Sequence, residues 1–140
     1  MFYFKKTGVF ETEISQLDTP LKVQAYMDRY FKYTKDVLPE DRWKPAKKTW
    51  KEQKGDCEDY AIFAVACLQH LNVEIFCMYN DDSGHATTLI KNGNFTTIGT
   101  FGYKNHSHKS YSKLAEHWYK DWESYSRYDK NIEFIESVTR

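Results

Sequence analysis

The 140-residue chain contains no run of about twenty apolar residues, so no segment qualifies as a transmembrane helix. Its first ten residues, MFYFKKTGVF, are broken by Lys5, Lys6 and Gly8 and do not make the apolar stretch of a secretory signal. These two absences predict a cytoplasmic chain that makes no use of a membrane. Net charge is lacking too. Twenty acidic side chains balance twenty basic ones, so overall charge provides no attraction to nucleic acid or to an anionic surface, and the basic stretch Lys44–Lys54 reads as solvated surface. The cysteines number three, an odd count that, without an export signal, predicts reduced thiols rather than a disulfide framework. No internal repeat or low-complexity segment is present. No Asp or Glu occurs between Asp82 and Glu116, which excludes a carboxylate from that whole stretch.

Aromatic residues, by contrast, are plentiful. Eleven Tyr, nine Phe and four Trp can supply much of a core in a chain long enough to bury one. The most informative stretch is Lys54-Gly55-Asp56-Cys57-Glu58-Asp59-Tyr60-Ala61, followed 28 residues after the cysteine by Gly84-His85-Ala86. Residues 58–71 (EDYAIFAVACLQHL) carry no Gly or Pro and are nearly continuously apolar from Ala61 to Leu68. They predict a helix buried on most sides. Cys57 then stands at a helix N-terminus, where unpaired N–H groups and the helix dipole favour the thiolate. Asp56, Glu58 and Asp59 oppose that effect unless a cation compensates. His85, between the turn-like Asn80–Gly84 and the strand-like Thr87–Ile90, is placed at a strand start, able to act as the base of a Cys–His pair. Cys67 and Cys77 lie in apolar surroundings and read as core.

Elsewhere, Thr19-Pro20 has the form of an N-cap with Pro at the first helical position. With Val23, Tyr26, Met27 and Tyr30 at helical spacing, this predicts an amphipathic helix over 20–37, stopped by Leu38-Pro39. The segment 39–56 predicts a loop or short helix. Residues 112–126 predict another helix, with Leu114, His117, Trp118 and Trp122 on one stripe, and 131–138 a final strand. His106-Ser107-His108 has the form of half a zinc site, but with no second ligand pair in the sequence it reads as a solvated loop.

The motif residues resemble the transglutaminase-like superfamily, most closely the bacterial transglutaminase-like cysteine peptidases. The resemblance runs from about 43 to 101: Trp43-Lys44-Pro45 and Trp50, then Gly-Asp-Cys-Glu-Asp-Tyr-Ala-Ile opening a helix, a strand Val73–Met78, His85-Ala86 opening another, and a turn at Asn92-Gly93 leading to Phe95–Thr100. The flanks 1–40 and 105–140 show no match. It implies an α+β, papain-like fold with a central helix from Cys57 packed on an antiparallel sheet that carries His85, and we expect one domain over 1–140.

The resemblance also implies a Cys–His–Asp triad acting on amide bonds through a thioester, with a protein or peptide as substrate and no cofactor required. Cys57 and His85 match directly. In members that cleave cell-surface adhesins the acidic residues flanking the nucleophile bind calcium, and the matching positions are Asp56 and Glu58; helix-dipole stabilisation is the other account of these acids. The third triad member would lie 15 to 17 residues past His85, at Thr100, Phe101 and Gly102, and no carboxylate is there. The remaining candidates to orient His85 are the amides of Asn92, Asn94 and Asn105, Asn105 first among them, the Thr100 hydroxyl or a backbone carbonyl. The Cys57 N–H is the expected oxyanion donor, with Gln53 or Trp50 as the second. The leading expectation is therefore a cysteine peptidase. A weakened or inactive domain that holds a peptide or protein partner is the alternative, as is a protein-glutamine deamidase or transamidase.

Overall fold

The computed structural model of the protein describes residues 3–35 and 43–140. A short helix α1 (Phe10–Ile14) precedes α2 (Pro20–Tyr30), whose N-terminus is capped by the Thr19 side chain accepting from the Lys22 amide. The amphipathic face is as expected, with Val23, Tyr26 and Met27 buried, but the helix stops well short of residue 37. At Phe31 the backbone becomes extended and enters β1 (Lys32–Tyr33), which pairs in parallel with β2 (Lys54–Gly55). A tertiary pairing, not a local stop signal, ends this helix. The expected stop at Leu38-Pro39 lies outside the described residues.

Helix α3 (Ala46–Glu52) leads through β2 into α4 (Cys57–Cys67). As the unbroken apolar run predicts, α4 is buried on nearly every side: Tyr60 through Val65 are all buried. Strands β3 (Val73–Tyr79), β4 (Gly84–Ile90), β5 (Thr96–Ile98), β6 (Lys104–Asn105), β7 (Ser124–Tyr128) and β8 (Phe134–Thr139) form one antiparallel sheet in the order β6-β5-β4-β3-β7-β8. Alternation along β3 separates two cores. Ile75 and Cys77 join Ala86 and Ile90 under α4, whereas Phe76 and Met78 join Leu89 on the opposite face, against Leu114 of helix α5 (Tyr111–Trp118) and Trp122. The architecture is α+β, with α4 as the central helix on an antiparallel sheet.

Helix α5 ends at Trp118, and residues 124–126, expected to be helical, belong to β7. The reason is again tertiary. On β7, Tyr125 packs against Phe76, and the next side chain on the same face, Arg127, bonds the buried Glu74 carboxylate through Nε and Nη2 at 2.7 and 3.0 Å. Period-two partners on β3 outweigh a local helical stripe. Cys67 and Cys77 are buried free thiols, as expected.

Candidate active site

The turn into α4 is built by reciprocal capping. Asp56 Oδ1 accepts from the amides of Glu58 and Asp59, both at 3.1 Å, while Asp59 Oδ2 accepts from the Asp56 amide at 3.0 Å. The Tyr60 amide bonds the Asp56 carbonyl. In this turn the Cys57 amide is left without a hydrogen-bond partner among the described residues. Asp59, folded back in this way, fills the space in front of Gly55, where a Cβ would stand 2.5 Å from Asp59 Cβ. Lys44 sits 3.5 Å from the same Asp59 oxygen and 2.9 Å from Glu52. Gly55, Asp56 and Asp59 of the motif are thereby accounted for as the frame that presents Cys57. Gly84 has a similar reason: a Cβ there would lie 2.8 Å from the ring of Tyr79, its cross-strand neighbour.

Strand alternation assigns His85 to the face of β4 that carries Leu89, the face opposite α4. Its ring is stacked against Phe101 at 4.1 Å between centroids, with Trp118 of α5 at 5.6 Å. Strand β5 pairs β4 only from Thr88 to Ile90, so the edge from Gly84 to Thr87 is open, and there Cys57 and His85 line one cavity of about 430 Å³. No hydrogen bond joins them, and neither ring nitrogen of His85 has a partner among the described residues. Burial pushes the Cys57 thiol up to about 11; the backbone N–H groups of Ala86 and Glu58 pull it down and the charges of Asp56 and Glu58 push it further up. Burial likewise drives His85 down to about 4. The helix N-terminus therefore does not make Cys57 a resting thiolate, contrary to what its position alone suggests: the sulfur is neutral and so is the imidazole.

The chain position at which the resemblance calls for a carboxylate is occupied by the Phe101 ring. Its loop is anchored by Gln24, a buried residue of α2 that sequence reasoning passed over. Gln24 Oε1 accepts from the Gly99 amide at 2.8 Å, and its Nε2 donates to the Gly99 carbonyl and to Asp28 Oδ1, both at 2.9 Å. The only signal for it in the sequence was a glutamine beside Val23 on the apolar side of an amphipathic helix.

Other expected site residues are not brought to His85 or Cys57. Asn105 lies opposite Thr96, which pairs with Ile90, five residues along β4 from His85. That is about 16 Å away at strand spacing, and its Oδ1 is taken by Thr96 and Tyr103. Asn105 does not orient the imidazole. The Gln53 side chain turns to the Tyr26 hydroxyl and the Trp50 carbonyl, and the Trp50 indole donates to Glu13 at 3.2 Å; both line a different depression, so neither is the second oxyanion donor. Asp56 is committed to the helix N-terminus, and among the described residues no group of three or more His, Cys, Asp or Glu side chains could hold a metal ion. Asp56 Oδ1 and the Asp59 carboxylate are thus used in the helix cap, and no third such side chain joins Asp56 and Glu58 among the described residues. His106 is not on a solvated loop: it is buried and paired with the Thr97 hydroxyl at 2.9 Å.

A family model for the transglutaminase-like domain matches residues 10–98, from α1 through β5 and including both motif segments, and the chain belongs to that family. The match reaches back through α2, into the N-terminal flank where the motifs alone showed no likeness. No curated protein matches the chain. Among the described residues no helix is long and apolar enough to cross a membrane.

Proposed function

We propose that this chain, acting as one papain-like domain, is a thiol hydrolase of amide bonds in a protein or peptide, a cysteine peptidase working through Cys57 and His85. The observation that carries the reading is the shared cavity at the open edge of β4, with the Cys57 amide beside the sulfur left without a partner among the described residues. Cys57 Sγ attacks the carbonyl carbon as its proton passes to His85, and the C–O double bond opens to an oxyanion held by the Cys57 N–H. The Ala86 N–H, which already faces the sulfur, serves as second donor. Collapse of the intermediate breaks the C–N bond, and His85 returns the proton to the leaving amine. Water then attacks the thioester with His85 as base, releasing the acid and restoring the thiol. A deamidase or transamidase differs only in the amide attacked or in the final acceptor.

With a neutral thiol, a neutral base and no carboxylate partner to that base among the described residues, turnover is expected to be slow. The test is labelling by a peptide electrophile that mimics an amide, mapped by mass spectrometry. An adduct at Cys57, formed about 100-fold more slowly in His85→Ala, is the expected result. Absence of the adduct in folded protein, under conditions that label the unfolded chain, overturns the proposal. It would favour the second reading, a domain of the same fold that only holds a peptide, which the lack of a hydrogen-bonding orienter at His85 among the described residues supports.

A further inference from the structure

The cavity that holds Cys57 and His85 has an uneven chemistry. Its wall is aromatic, from Phe31, Tyr33, Tyr60, Phe101 and Tyr119, and among the described residues the lining includes one carboxylate, Asp28, and no Lys or Arg. His85, driven down to about 4 by burial, adds no positive charge near neutrality. Asp28 is not a loose surface group. Gln24 Nε2 holds its Oδ1 at 2.9 Å, and Gln24 is itself pinned to both the N–H and the carbonyl of Gly99. The field of Asp28 reaches into the cavity: after burial, it is the main influence holding the Tyr60 phenol above its ordinary range. Asp56 and Glu58 add negative potential at the Cys57 end, where both act on the sulfur. Two of the rings present open area, Phe101 being 67% and Tyr33 54% exposed.

A carboxylate fixed beside accessible aromatic faces in a partly enclosed cleft is a receptor for an organic cation. The acid supplies the counter-charge, and the rings supply a quadrupole that attracts a guanidinium or ammonium stacked upon them. An anionic side chain would meet Asp28 without any basic group to offset it. A neutral apolar one would bury area on the rings but leave the carboxylate desolvated with no counter-charge beyond the Gln24 amide.

We propose that this cleft selects a basic side chain, arginine or lysine, next to the amide presented to Cys57, and that Asp28 is the specificity-determining residue. The inference rests on the cleft being the substrate site of the hydrolase proposed above. Its test uses binding alone, so that the reactivity of the thiol does not enter.

Full-length Cys57→Ala protein is titrated calorimetrically with two short blocked peptides, acetyl-Gly-Arg-Gln-Gly-amide and the same peptide with citrulline in place of arginine. The two side chains have nearly the same shape and differ in charge. The arginine peptide is expected to bind about tenfold more tightly. That preference should shrink toward parity when Asp28→Asn is added, persist in Asp28→Glu, and weaken as NaCl is raised from about 0.05 to about 0.5 M. Asp28 is exposed, so the variants should fold, and circular dichroism checks that they do. Equal affinity for the two peptides overturns the proposal, as does a preference that survives Asp28→Asn or the absence of saturable binding of either. Equal affinities together with a reactive Cys57 would remove the cation preference and leave the hydrolase reading standing. An arginine preference with an inert Cys57 would do the reverse.

Discussion

Two influences compete at the Cys57 sulfur, and their balance decides how this protein can use it. Amide dipoles from Glu58 and Ala86 favour the thiolate, while burial and the Asp56 and Glu58 carboxylates disfavour it and win, leaving the thiol near 11. At about pH 7 such a thiol is ionised to about one part in 10⁴, against about one in 100 for an unperturbed one near 9, and should alkylate correspondingly more slowly. Burial alone raises Cys67, and burial first, then the Glu58 charge, raises Cys77 to about 12, so Cys57 should still be labelled first of the three. Asp56→Asn separates charge from capping, since an amide oxygen still accepts from the Glu58 and Asp59 amides. We expect iodoacetamide to label Cys57 in this variant about 3- to 10-fold faster than in the parent protein, with an unchanged urea midpoint. An unchanged rate would show that burial, without the carboxylate, sets the acidity.

The join between β2 and α4 turns a sequence string into a site. Gly55 is obligatory there because Asp59 folds back over it to close the cap. A Cβ at 55 must displace Asp59, which loses its bond to the Asp56 amide and its proximity to Lys44. Gly55→Ala is expected to cost about 1 to 3 kcal/mol in urea unfolding and to alter Cys57 labelling, because the helix start that presents the sulfur moves. Loss of stability with a wild-type labelling rate would mean that the cap supports the helix but does not position the thiol. Much of this element was legible in advance. The acid-rich string before an apolar run marked the helix start, and a turn before alternating residues marked β4. The lengths of α2 and α5 were not legible, because β1 and β7 recruit their C-terminal flanks through strand partners distant in sequence.

Over the whole molecule, buried neutral histidines couple folding to pH. His85 and His106 both titrate near 4 in the folded protein, driven down first by burial, against an ordinary value of 6.5. Between these limits the unfolded chain binds protons that the folded one does not, so stability is fully present above about pH 6.5 and falls as pH drops toward 4. The carboxylates held below their ordinary range, Glu13 and Glu74 among them, act only lower, their contribution being lost as pH falls through their folded values. Wild-type protein should therefore lose stability between about pH 7.5 and about pH 5. His85→Gln should lessen that loss by about 1 to 2 kcal/mol, read from urea midpoints at the two pH values. Parallel pH profiles for the two proteins would show that His85 is protonated in the folded state.

The family-level architecture, the helix that begins at Cys57, the strand that carries His85 near its start and the absence of a carboxylate after it were all legible in residue order. Each of these is a local matter of apolar periodicity, capping residues and composition. The tertiary structure decided what surrounds those two residues. Phe101 and Trp118 against the imidazole, Gln24 anchoring the Phe101 loop and Asp28 in the cleft come from separate segments, Gln24 lying 75 residues before the Gly99 it binds. The acidity of Cys57 was likewise out of reach of the sequence, because the dipole and the neighbouring acids can be read from residue order, whereas the burial that outweighs the dipole exists only once α2, α4 and the open edge of β4 have packed around the sulfur.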